Sequence, residues 1–141
     1  MKHKLTISLV LLFATMMIQL PAFSQTLKKH QWKNRVLLVI SNKENNEPFQ
    51  KQMDEFSDEK PLNERKLVLY KVFPESYILE EKRINSSVLF EMYIKNKKDF
   101  CVVLIGLDGG VKLSQSNPLS SQDLFRIIDS MPMRRSEIRK K

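Results

Sequence analysis

Val36-Leu37-Leu38-Val39-Ile40 is a continuous apolar run of branched residues. It is too short for a helix and shows no polar alternation. Such a run reads as a strand buried on both faces, central in a sheet with helices above and below. Phe100-Cys101-Val102-Val103-Leu104-Ile105 repeats the pattern. Lys66-Leu67-Val68-Leu69-Tyr70-Lys71-Val72-Phe73 is a third apolar strand, ended by Pro74.

The segments between these strands supply the helices. Pro48 suits a first helical turn, and Phe49, Met53 and Phe56 recur on one helical stripe. That helix is expected to run to Lys60 and to be closed by Pro61 and Asn63. A second is expected from Ser86 or Ser87 to about Lys97, with Leu89, Met92 and Tyr93 on one face. Glu75 to Asn85 follows neither period and reads as irregular or weakly helical. Asp108-Gly109-Gly110 is a tight turn into Val111-Lys112-Leu113-Ser114, the last strand of a hairpin. Ser120 and Asp123 then have the spacing of a capping box, ahead of the stripe Leu124, Ile127, Ile128 and Met131. The order β-α-β-α-β-β-α predicts an α/β, thioredoxin-like domain: a four-stranded mixed sheet flanked by helices, with the first two strands parallel.

Residues 1–24 have the layout of a signal peptide. A basic start at Lys2 and Lys4 precedes an apolar run from Leu5 to Ile18, and Ala22-Phe23-Ser24 supplies small residues before Gln25. The run is short against the roughly 20 apolar residues of a membrane span. Export to the periplasm or the extracellular space is expected, with no stable membrane anchor after cleavage. The domain then occupies residues 25–133 and a basic tail residues 134–141.

The chain has 141 residues, with 24 Lys plus Arg against 16 Asp plus Glu, a formal net charge of +8. Loss of Lys2 and Lys4 leaves +6, of which the tail from Arg134 holds +4. The excess of charge therefore lies in the tail and not on a face of the domain. That argues against a nucleic-acid partner.

With these elements in place, the chain resembles the domain of unknown function 4174 family. The resemblance rests on His30-Gln31-Trp32-Lys33-Asn34-Arg35 leading into Val36, and on Asn63-Glu64-Arg65-Lys66-Leu67-Val68. It rests further on Phe100 to Lys112 and Leu124 to Arg135. Leu104-Ile105-Gly106-Leu107-Asp108-Gly109-Gly110 and Met131-Pro132-Met133-Arg134-Arg135 are its most specific pieces. It covers about Gln31 to Arg139. The family comprises secreted bacterial domains, similar to a module of animal extracellular-matrix proteins. It implies a thioredoxin-like fold and no established activity or catalytic residue.

The thiol chemistry of that fold is missing from its usual place. A dithiol site needs two cysteines just after the first central strand, where a helix N-terminus lowers a thiolate pKa. The loop Ser41 to Glu47 has none, and Asp99 rather than proline stands before Phe100. The single cysteine, Cys101, lies in an apolar run and reads as a small core residue. His30 with Cys101 falls short of a metal set, and no metal or other cofactor is expected. Glu44 with Glu47 and Glu80 with Glu81 read as solvated surface. Asn85-Ser86-Ser87 matches a glycosylation acceptor. Trp32 is expected to tuck against the domain edge.

Two functional readings follow. The first is an exported binding module whose partner is an envelope or extracellular protein, or a small anionic ligand. Its binding residues would be Asn42, Asn45 and Asn46 at the end of the first strand, and the pair Arg134 and Arg135. The alternative is a single-cysteine oxidoreductase or peroxidase-like enzyme using Cys101.

Overall fold

A computed structural model describes residues 22–94 and 99–140. Of the expected signal peptide, residues 1–24, positions 1–21 lie outside the described residues. In chain order the elements are α1 (Ala22–Lys28), β1 (Arg35–Ser41), α2 (Glu47–Glu55), α3 (Glu59–Glu64), β2 (Leu67–Val72) and β3 (Ser76–Leu79). Then follow β4 (Lys82–Asn85), α4 (Val88–Tyr93), β5 (Phe100–Ile105), β6 (Val111–Gln115), α5 (Ser121–Ser130) and α6 (Pro132–Arg139).

One mixed sheet of six strands runs β4-β3-β2-β1-β5-β6. β1 pairs parallel with β2 and antiparallel with β5. Every residue of β1 and of β5 is buried. Alternation sends Leu37 and Val39 to one face, packed with Phe49 of α2, Phe56 just after it, Leu62 of α3 and Leu124 of α5. It sends Val36, Leu38 and Ile40 to the other, packed with Leu89 of α4 and bordered by Leu27 of α1. The two-sided burial read from Val36–Ile40 is therefore the centre of the fold.

The sheet has six strands, not four. The extra pair is the β3–β4 hairpin, in the segment that read as irregular. Its turn is Glu80-Glu81, and both residues take positive φ, 48° and 61°. A two-residue hairpin turn demands that conformation, and Asn-Gly is its usual signal. Two glutamates give no such signal.

The helix expected to end at Lys60 is two helices. α2 stops at Glu55, and Asp58 caps α3 by accepting from the Lys60 amide at 3.0 Å. Pro61 sits inside the first turn of α3, where a missing N–H costs no helical bond. The cap of α5 is as expected on one side: Ser120 Oγ accepts from the Asp123 amide at 3.1 Å. Asp123 reaches back to the Ser120 hydroxyl, 2.9 Å, rather than to its amide. Trp32 is a correction. It is 64% exposed with φ of 64°, because its amide is turned in to donate to the Leu107 carbonyl.

Candidate functional site

The carboxyl end of β1 is where this fold class carries thiol chemistry, and here it is closed by amides. Asn42 Nδ2 donates to Asp99 Oδ1 at 2.7 Å, and the Asn42 amide donates to the Asp99 carbonyl at 3.1 Å. Asn46 Nδ2 donates to the same carbonyl at 3.1 Å. The buried Ser41 hydroxyl donates to the Lys43 carbonyl at 2.8 Å. These bonds tie the loop after β1 to the start of β5. Of the three asparagines read as ligand donors, Asn42 and Asn46 hold Asp99, and Asn45 is exposed. Asn46 makes no side-chain cap to α2. Glu47 instead places a carboxylate in the first turn, paired with Lys51 at 2.9 Å.

Cys101 faces the core. It is 6% exposed among Ile40, Val103, Leu89 and Tyr77. Its Sγ lies 3.9 Å from the Val102 carbonyl and 3.7 Å from Ser114 Oγ. Nothing there presents a thiol to a substrate.

The two arginines read as one binding pair have separate fates. Arg134 is 7% exposed. Its Nε donates to Asp129 Oδ1 at 3.2 Å, and its Nη1 to the Glu64 carbonyl at 3.0 Å and Glu137 Oε2 at 3.3 Å. Arg65 grips the same Asp129 with two nitrogens, at 3.1 and 2.7 Å. Arg35, 1% exposed, donates through Nη1 to Glu137 Oε2 at 3.3 Å and to the Arg65 carbonyl at 2.9 Å. This network straps α6 to α3, α5 and the start of β1. Arg134 is therefore a buried structural cation, while Arg135 is exposed. Arg35, Arg65, Asp129 and Glu137 escaped the sequence reading. The available signal was an arginine directly before a fully apolar strand, since burial there demands partners.

Burial tends to raise the carboxyls of Asp129 and Glu137, but the arginines outweigh it and both lie below their ordinary values of 3.8 and 4.5. Their unfolded forms therefore bind protons first as pH falls. The stability they contribute is present above about pH 4.5 and is lost on acidification. The melting temperature should fall between pH 5 and pH 3, and Glu137→Gln should flatten that fall. An unchanged slope in the variant would remove Glu137 from the account.

A second polar contact joins the segment before β1 to β2. His30 Nε2 lies 2.8 Å from Tyr70 Oη, with the rings edge to face. Burial, then the Lys29 charge, lowers the His30 pKa, which favours the neutral imidazole. Burial raises the fully enclosed Tyr70. A cavity of about 280 Å³ adjoins them, lined by Leu27, His30, Asn34, Tyr93, Ile105 and Asp108. Asp108 is held by Lys112 at 2.6 Å and by the Gly110 amide at 3.0 Å, in a turn where Gly109 has φ of 80°. Among the described residues no three His, Cys, Asp or Glu side chains gather as a metal site. No described helix is long and apolar enough to cross a membrane.

A mixed sheet with a parallel β1–β2 pair, an antiparallel β5–β6 hairpin and helices on both faces defines a thioredoxin-like domain. A crystal structure of the reduced 2-Cys peroxiredoxin of Plasmodium vivax is similar, with a TM-score of 0.55 and 16% identity. The match covers 82% of this chain and 85% of that one, and at this identity it shows the fold alone. The chain belongs to the family described as domain of unknown function (DUF4174), whose model matches residues 26–137. No curated protein matches the sequence.

Proposed function

We propose that the protein is an exported binding module of the cell envelope or extracellular space that works without thiol chemistry. One observation carries this reading: the loop that would hold the reactive thiol has no cysteine and is closed onto Asp99, while Cys101 is buried in β5. The Lys-rich start, apolar run and Ala22-Phe23-Ser24 support export. The partner is an envelope or extracellular protein, or a small anionic ligand, and of the pair Arg134 and Arg135 it is Arg135 that is open to it. An enzyme acting through Cys101 needs that thiol at a surface, where its thiolate is solvated.

Protein recovered from the envelope or culture-medium fraction tests both parts. Its mass should correspond to a chain beginning at Gln25. It should neither reduce insulin disulfides with dithiothreitol nor consume peroxide. A thiol reagent should label Cys101 at least about a hundredfold more slowly in the native protein than after denaturation, since labelling must wait for local opening. Rapid labelling of the native protein, or peroxide turnover lost in Cys101→Ser, would establish the enzyme instead.

A further inference from the structure

Between α3 and the β3–β4 hairpin the sheet face opens into a groove of about 350 Å³. Its floor is apolar, built from Met53, Phe56, Leu62, Leu69 and Ile78. Leu69 and Ile78 pack on the core yet remain half-buried, so this part of the sheet lacks a full cover. The rim is acidic. Glu59 comes from α3, and Glu80 and Glu81 from the hairpin turn. Among the described residues one cation lines the groove, Lys71, held 3.2 Å from Glu81. A rim with this excess of carboxylates contrasts with a chain of net charge +8.

α6 carries the complementary surface. Its inner side is fixed by Arg134 and Glu137. Pro132, Arg135, Ile138 and Arg139, at helical spacing, line a shared outer hollow. Ile138 is 47% exposed between two exposed arginines. An exposed apolar side chain flanked by cations thus faces solvent on a protein whose apolar groove is flanked by carboxylates.

We propose that a second copy of this chain docks Ile138 of α6 into the β2–β3 groove of the first, with Arg135 and Arg139 meeting Glu59 and Glu80. The two surfaces differ, so the contact is head to tail. The apolar insertion supplies the attraction, and the charge pairs set orientation and encounter rate. The inference is independent of the redox reading, since both surfaces exist whatever Cys101 does.

Sedimentation velocity on the purified protein tests it. The average mass should rise with concentration, with a dissociation constant on the order of 10–100 µM for so small a contact. Raising salt from about 0.05 to 0.5 M should weaken association several-fold by screening the rim charges. Ile138→Asp and Glu80→Lys alter exposed side chains, and each should be monomeric with an unchanged melting temperature. Arg139→Glu tests the α6 half again by charge reversal alone. Mixing Ile138→Asp with Glu80→Lys is the decisive arm. The first keeps an intact groove and the second an intact α6, so the mixture should form a 1:1 dimer and nothing larger. A wild-type chain that stays monomeric to about 1 mM overturns the proposal and leaves the groove to an external cationic partner. Association that survives the substitutions, or a mixture that stays monomeric, overturns it as well.

Discussion

Arg134→Ala lowers the melting temperature by about 10 °C, whereas Arg135→Ala shifts it by less than about 2 °C. The two residues are adjacent in sequence and differ only in helical phase. Arg134 points inward and satisfies Asp129, Glu137 and the Glu64 carbonyl together. Its removal leaves Asp129 to Arg65 alone, Glu137 to Arg35 and Lys66, and the Glu64 carbonyl without this donor; breaking a buried pair outright costs about 3–5 kcal/mol. Partial exposure of Asp129 and Glu137 lets water return, which places the expected loss near the lower end, about 3 kcal/mol. For a domain of this size that corresponds to about 10 °C. Arg134→Lys should recover little, because a point charge cannot reproduce the three-way geometry of the guanidinium. Differential scanning calorimetry of the three variants decides the matter. Equal effects at positions 134 and 135 would show that the strap is not what holds α6.

The contrast between these arginines shows what was legible in the residues. β1 and β5 were readable because two-sided burial forces an unbroken apolar run. Cys101 was readable for the same reason. The β3–β4 hairpin was hidden because Glu80 and Glu81 adopt a left-handed turn that their side chains do not advertise. The break between α2 and α3 was hidden because the stripe of Phe49, Met53 and Phe56 implies continuity, while the cap at Asp58 needs only one carboxylate. Site residues were harder still. Asn42 and Asn46 are good donors in any loop, and only the tertiary position of Asp99 shows what they donate to. Arg134 and Arg135 have the same chemistry, and the phase of α6 alone sends one into the core. That phase is set by Pro132 opening a new helix directly after α5.

Gln52→Leu should destabilise the fold by about 2–4 kcal/mol, although it replaces a buried polar side chain with an apolar one of similar size. Gln52 is fully buried on the inner side of α2. Its Nε2 donates to the Leu119 carbonyl at 2.7 Å, and its Oε1 accepts from the Leu119 amide at 2.7 Å. Leu119 lies between β6 and α5, outside any regular element, and is itself buried. Its backbone groups therefore have no ladder or helix to satisfy them, and the glutamine amide stands in for a strand neighbour. Leucine would leave a donor and an acceptor unpaired in the core, and each costs about 1–3 kcal/mol. The transfer gain from the extra apolar surface offsets only part of this. Two neighbouring contacts sharpen the expectation. The Glu55 carboxylate accepts from the Ser121 amide at 2.9 Å, and Ser120 caps α5. The α2 side chains thus hold the chain where α5 begins. Hydrogen exchange should show the Leu119 amide losing at least about tenfold in protection in Gln52→Leu, beyond the global loss, as the segment opens locally. Because the strap at Arg134 lies at the other end of α5, the Gln52 and Arg134 losses should add within about 0.5 kcal/mol in the double variant. A large coupling between them would mean that α5 and α6 respond as one unit.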